Sequence, residues 1–348
     1  MRTLNADTLG ADGIWVDPLW RIRVELTPLE SELLRTWWVR RLAFVAHAGA
    51  ASITTTQTYS RLEHSLGVLA LVAHFAPEDH EARAAALLHD VGHLPFSHTL
   101  EGIAGLDHHR LGAQSIGELG PVLERHGTSA ERVIALDMGS SASPLHASSG
   151  AMKLDHLDSF VRSGQEHGRS VTAASELLSR CRLRDGGVDT DPATADELVR
   201  LVVAEARAQR AAPNVVPIAV LRDLVTRALA SADAAFGIEE LTTMTDGDLW
   251  SALLTCEETR ERTMLLRRDP AAWRLSEVPD REDGEALTHS IVRGYLSLPT
   301  VDGAPIDDPE IDELHEALPV HHRVTLRADV SRRAPKRPPG RGRASSAR

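Results

Sequence analysis

The sequence predicts an all-α fold, a helical bundle preceded by a short N-terminal β-hairpin and followed by a small mixed C-terminal region. Leu62, Leu66 and Leu69 recur at three- and four-residue steps, residues 84–88 form an apolar run leading directly into His89, and helical periodicity continues to about residue 231. Turn-rich segments bound short β-prone stretches only at residues 14–24 and 182–188, where Asp185, Gly186 and Gly187 spell a hairpin turn. Further helices are expected near 109–126, 128–137, 148–165, 171–183, 193–210, 217–231 and 246–264.

Proline-containing breaks at 212–217 and 278–285 read as connections between elements. The expected organisation is a main helical domain over residues 1–231 that includes the hairpin, an accessory region over 232–330, and a tail over 331–348. No internal repeat is visible.

A chain of 348 residues with 42% hydrophobic content can bury a sizeable core. Its net charge of −12 is uneven, because the tail carries seven basic residues and no acidic one, leaving the body near −19. An acidic body excludes a broad nucleic-acid surface, so such contact is expected only through the tail, whose Pro, Gly, Ser and Arg content predicts disorder. Apolar runs such as residues 67–73 are cut short by His74, and no basic-then-apolar leader precedes the domain, so a cytoplasmic protein without a membrane span is expected. Cys181 and Cys256 lack CxxC spacing and read as buried small hydrophobes.

The chemistry concentrates in residues 84–98, AAALLHDVGHLPFSH, where His89 and Asp90 interrupt a run fit for burial. Burying such groups without partners costs a few kcal/mol or more, and metal coordination satisfies both. A second helix offers His64 within RLEHSLGV, and a third offers Asp155 within KLDHLDSFVRSG. Two imidazoles and two carboxylates suit a divalent cation such as Mn, Fe, Mg, Co or Zn without selecting among them.

The order H, then HD, then D, inside these phrases, resembles the HD superfamily of metal-dependent phosphohydrolases, and most nearly the deoxynucleoside triphosphate triphosphohydrolases, which share R-x-E-H-S-L-G-V and H-D-x-G-H-x-P-F-S-H. The resemblance covers about residues 14–170, including Asp17 and Pro18. It implies an HD-domain helical bundle with His64, His89, Asp90 and Asp155 as metal ligands, and with His93, Glu101 and His109 as the acid/base set. It further implies Arg61, His98 and Ser159 as substrate contacts, and a small-molecule phosphate substrate, with a nucleotide favoured. The implied reaction is attack on phosphorus by a water activated at the metal or deprotonated by a histidine and carboxylate pair. Homo-oligomers are common among similar proteins, and one is expected here on that ground alone.

The chain departs from the triphosphohydrolases where those proteins grip a nucleotide. After the aspartate on the third helix they carry a lysine, a tyrosine four residues on and an aspartate eight on; here stand His156, Ser159 and Ser163. Residues 35–43 replace a sugar-reading phrase and put Arg41 where a glutamine is expected, and neither Tyr59 nor Tyr295 takes a place in the downstream pattern. Three classes therefore stay open: a phosphohydrolase, a nucleotide-sensing protein with little turnover, and an oxygenase of the di-iron type that some HD proteins resemble. Asp158 and Arg162, four residues apart, read as a helix-surface ion pair; Trp37 and Trp38 read as core or subunit interface; the histidines outside the motifs, His47 among them, read as ordinary.

Overall fold

The computed structural model describes residues 11–147, 150–276 and 286–327, so the expected basic tail lies outside the described residues. The predicted N-terminal hairpin is present as β1 (Ile14–Val16) and β2 (Arg23–Glu25), paired antiparallel. It leads to α1 (Pro28–Leu33) and α2 (Trp37–Arg41). The bundle proper is α3 (Arg61–Phe75), α4 (His80–Leu88), α5 (His108–Glu118), α6 (Gly120–Arg125), α7 (Ala130–Asp137), α8 (Leu154–Glu166), α9 (Ala174–Arg180) and α10 (Pro192–Arg210).

Local chemistry sets these boundaries. In α3, the Ser60 side chain accepts from the Glu63 amide while Glu63 reaches back to the Ser60 amide, a reciprocal cap that fixes the register of His64 one residue later. The 109–126 helix of the sequence reading is two helices, because Pro121 suits the first turn of a new helix. The expected 171–183 helix shortens to α9, since Arg182–Arg184 (β3) turns at Asp185 and Gly186, both at positive φ, into Gly187–Thr190 (β4).

Beyond α10 come α11 (Ala212–Ala230), α12 (Ile238–Leu241), α13 (Asp246–Thr255), α14 (Arg260–Arg268), α15 (Pro309–Glu316) and the strands β5 (Trp273–Ser276), β6 (Ala286–Ile291), β7 (Thr300–Val301) and β8 (Val320–Leu326). β7 adds in parallel to β4, while β5 and β6 flank β8 antiparallel. The expected 246–264 helix breaks at residues 256–259, where the Thr259 hydroxyl donates to the Leu253 carbonyl left free by the interruption. Pro217, expected to break the chain, sits inside α11; lacking an N–H, it leaves the Pro213 carbonyl free, and the Thr54 hydroxyl donates to it. Among the described residues no helix is long and apolar enough to cross a membrane.

Two apolar cores result. The first joins the α1–α4 and α6–α10 helices through side chains such as Leu66, Leu69, Leu87 and Leu157. The second gathers α11, α13, α14, β5 and β8 around Leu221, Leu249 and Val324, together with Leu94, Phe96 and Leu100 from the loop after α4. The second core begins with α11, and the motif loop enters it.

Hairpin, α1 and α4 meet at a buried ion pair. Arg83 donates from Nε and Nη2 to the two Glu30 oxygens at 2.7 and 2.8 Å, and from its remaining groups to the Glu25 and Pro77 carbonyls. Glu30→Ala strands that guanidinium, and is expected to lower unfolding free energy by about 3–5 kcal/mol. Urea denaturation checks this; a loss under about 1 kcal/mol would show the pair to be dispensable.

Candidate metal centre and acid/base cluster

His64 projects from α3, His89 and Asp90 follow the last residue of α4, and Asp155 sits in the first turn of α8. His64 Nε2 lies 3.3 Å from His89 Nε2, 3.1 Å from Asp155 Oδ1 and 3.9 Å from Asp90 Oδ2, and His89 Nε2 lies 3.4 Å from Asp90 Oδ1. His64, His89 and Asp90 thus place ligand atoms within 4.8 Å of one another, and Asp155 joins them through His64.

Their tautomers follow from their partners. His89 Nδ1 is 2.8 Å from the Ala86 carbonyl, which can only accept, so Nδ1 carries the proton and Nε2 presents a lone pair. His64 Nδ1 likewise donates to Asp158 Oδ2 at 2.8 Å. Two nitrogen lone pairs and two carboxylates then face one another, an arrangement that is repulsive until positive charge enters it. Burial disfavours a charged His64 ring, yet Asp155 and Asp158 outweigh it and raise its pKa to about 9. Burial would push the Asp90 carboxyl up, but Arg61 and the neighbouring histidines hold it well below the carboxylate range; Lys153 and His64 do the same for Asp155. This negative, nitrogen- and oxygen-lined point fits a divalent cation on its donor chemistry.

The support behind His64 corrects one reading. Asp158 and Arg162 are not on the surface: both are buried, and Asp158 is the second anchor of His64. Asp158 also accepts from Arg162 Nε and Nη2 at 2.9 and 2.7 Å and from Trp20 Nε1 at 2.7 Å, and Arg162 reaches Asp17 Oδ2 at 3.2 Å. Gly67 is required beneath them, since a Cβ there would stand 2.1 Å from Asp158 Oδ1 and 2.2 Å from Arg162 Nη2. The signal was in the sequence, because Asp155 and Asp158, three apart on α8, share a face.

Beyond the ligands the chain leaves the helix. His93, expected on the His89 helix face, lies instead in the turn after α4, and its Nε2 donates to Asp90 Oδ1 at 3.1 Å. Gly92 allows this turn, as a Cβ would meet the His108 carbonyl and the Gly112 amide at 2.1 and 2.2 Å. Arg41, read as a lost substrate contact, is fully buried and donates to the Val91 and His93 carbonyls at 3.0 and 2.7 Å. Phe96 and Ser97 both take left-handed φ values, 55° and 54°, which costs about 1–3 kcal/mol each.

His93, His98 and His108 have ring nitrogens within 4.8 Å of one another. His93 and His108 stack cofacially, 4.5 Å apart at 12°, so their in-plane lone pairs run side by side instead of converging on one ion. Proton handling suits the cluster better than a second metal. His108, rather than the expected His109, is Glu101's partner: its Nδ1 donates to Glu101 Oε2 at 2.9 Å, while His109 is exposed. The Asp107 N-cap puts His108 in that place as the first helical residue of α5. Burial keeps His93 and His98 neutral, well below the usual histidine range. His98 is nonetheless open to solvent on one side.

Arg61, expected to bind phosphate, engages its three nitrogens internally with Ser97 Oγ, Asp90 Oδ2 and the His47 carbonyl. It braces Asp90. Ser159 lies 3.4 Å from His47 Nε2, and His47, read as ordinary, packs edge-on against His64 with ring centres 4.6 Å apart. Ser163 donates to Glu205, away from this set. Tyr295, which the sequence left without a role, comes within 6.1 Å of His98 and 5.7 Å of His156 by ring centres, and Ser297 pairs with His156 Nδ1 at 2.6 Å. No pattern in the sequence ties residues 295–297 to the site.

Residues 61–160 match the HD domain. The chain is 36% identical over 98 residues to the uncharacterized protein MJ1154 of Methanocaldococcus jannaschii, across 27% of this chain and 22% of that protein. It is 27% identical over 175 residues to the uncharacterized protein YdhJ of Bacillus subtilis, across 48% of this chain and 53% of that protein. The chain thus spans about half or less of the length of these curated relatives. A phosphohydrolase crystal structure from Bacteroides thetaiotaomicron superposes with a TM-score of 0.68 at 16% identity, covering 90% of this chain and 99% of that one; the likeness is one of fold.

Asp158→Asn keeps the size of the His64 anchor but removes its charge, and is expected to weaken divalent-metal affinity by about 10–100-fold. Gly67→Ala should do the same by displacing the carboxylate. Competition against a chromogenic chelator measures both, and unchanged affinity in Asp158→Asn would refute the anchoring role.

Proposed function

We propose that this chain, which carries an HD domain over residues 61–160, hydrolyses a phosphate ester or anhydride using a divalent cation held by His64, His89, Asp90 and Asp155. The observation that carries this reading is the meeting of two imidazole Nε2 atoms and two low-pKa carboxylates beside neutral histidines. A cation there supplies Lewis acidity, polarising a phosphoryl oxygen and making water more acidic.

The chain's own groups do the rest. His93 Nε2–H donates to Asp90, which leaves His93 Nδ1 as a buried lone pair without a hydrogen bond among the described residues. That atom is the base for water: the oxygen attacks phosphorus while its proton passes to Nδ1. The P–O bond to the leaving group breaks, and the departing oxygen takes the proton that His93 acquired; His108, whose Nδ1–H donates to Glu101, keeps Nε2 as a lone pair able to relay it. Arg61 holds Asp90 in place throughout.

We favour a nucleotide as substrate, on the likeness of residues 61–98 to the triphosphohydrolase phrases, and a homo-oligomer working in the cytoplasm. The loss of the lysine, tyrosine and aspartate at 156, 159 and 163 argues for a grip different from that of a triphosphate enzyme. The cofacial His93 and His108 rings disfavour a di-iron oxygenase, which needs a second converging ligand set.

A screen of nucleoside mono-, di- and triphosphates and cyclic nucleotides with Mn, Mg, Fe or Co, resolving phosphate, pyrophosphate and triphosphate, is expected to find turnover that chelation abolishes. His64→Ala and Asp90→Ala should each lower it by on the order of a hundredfold or more. Full activity after thorough metal removal, or in either variant, overturns the proposal.

A further inference from the structure

We infer that Asp246 in α13 is a positioning residue that holds the catalytic loop of residues 91–101, so that the C-terminal region forms part of the active site's machinery; this rests on the hydrolase reading above. Asp246 lies about 150 residues beyond the loop and outside every motif of the sequence. Its carboxylate accepts two backbone amides from separate strands of the site: Oδ1 takes Phe96 N–H at 2.6 Å and Oδ2 takes Ala46 N–H at 2.8 Å.

Both contacts lead to the metal ligands in a few bonds. Phe96 and Ser97 are the two left-handed residues, so a fixed donor–acceptor contact is needed to keep them there. Ser97 Oγ donates to the Ala46 carbonyl at 2.5 Å and accepts from Arg61 Nε at 2.9 Å, and Arg61 Nη1 donates to Asp90 Oδ2 at 3.0 Å. One carboxylate in α13 thereby ties the loop, the segment entering α3 and, through Arg61, the Asp90 ligand.

Two further cations pin the same loop. Arg41 bonds the Val91 and His93 carbonyls and, from its other arm, the Met244 carbonyl just before α13. Arg222 in α11 donates to the Thr99 and Glu101 carbonyls, both at 2.8 Å, fixing the residue that orients His108. Three charged side chains thus hold backbone groups of residues 91, 93, 96, 99 and 101, and two of the three come from the C-terminal region. The ring of Phe96 adds an edge-on contact with Trp250 of α13.

None of these groups needs to touch substrate. A carboxylate accepting two amides is also unlike a generic surface cap, because an asparagine can accept only one of them and turns its NH2 against the other.

The test compares full-length wild type, Asp246→Asn and Arg222→Lys by amide hydrogen exchange, metal content and steady-state kinetics on whichever phosphate ester the wild type turns over. Exchange in peptides covering residues 91–101 is expected to rise by about tenfold in each variant, while peptides from α3 and α4 stay unchanged. Metal content should stay at the wild-type level, with KM nearly constant and kcat lower by about 10–100-fold. If Asp246→Asn fails to fold, Arg222→Lys decides alone. Unchanged exchange over 91–101, or a uniform rise across the whole chain, overturns the inference. A wild type without turnover on any phosphate compound would sink the hydrolase reading alone, since exchange still decides the positioning role.

Discussion

The fully buried carboxylate of Asp158 is the constraint on which the rest of the structure depends. Taking such a charge out of water costs several kcal/mol, and the protein offsets this with four donors drawn from three places in the chain. Burial alone would raise its pKa, but Arg162 and His64 bring it down to about 2, so it stays ionised at any physiological pH. Because it stays charged, it holds the His64 Nδ1–H, and the direction in which Nε2 then points sets where the other three ligands must lie. Trp20 ties the N-terminal hairpin to the same atom pair, which explains why a two-stranded ribbon of only three residues per strand, marginal by itself, holds its place.

Much of this was legible. Helical periodicity gave the bundle from α3 to α10, and the phrases around His64, His89 and Asp155 named groups that the fold brings within 4 Å of His64 Nε2. The failures share a physical origin. Asp158 and Arg162 looked like a surface pair because i, i+4 spacing is the same whether a helix face meets water or another helix. Only the neighbour decides, and the neighbour here is Gly67, whose missing side chain opens the space. His108 and His109 could not be told apart by type; the N-cap at Asp107 rotates the first to Glu101 and leaves the second exposed. Arg41 and Tyr295 were misjudged since their contacts lie 50 to 203 residues away, a range over which no periodic pattern carries information.

The motif phrases also contain residues that do no chemistry themselves. Gly67 gives room to the Asp158–Arg162 pair, and Gly92 lets the start of α5 close on the turn after α4. Leu94, Phe96 and Leu100 are apolar anchors in the second core, while His93, His98 and Glu101, interleaved among them, face the site. A loop that alternates anchors with polar groups over nine residues, with a 3-10 turn at Ser97–Leu100, is pinned along its length, and such pinning favours tautomers fixed before substrate arrives.

That placement bears on how substrate selection could diverge while the chemistry is kept. The candidate ligands and the histidine cluster come from α3, the segment after α4, the start of α5, and α8, the helix on which residues 156, 159 and 163 also lie. His156 instead pairs with Ser297 and packs on Tyr295, side chains supplied by the segment between β6 and β7. Where the triphosphohydrolase phrase has a lysine, His156 thus meets an aromatic side chain from the segment between β6 and β7. The second core holds the loop while Tyr295 packs against the first, so both cores contribute to the order of these groups.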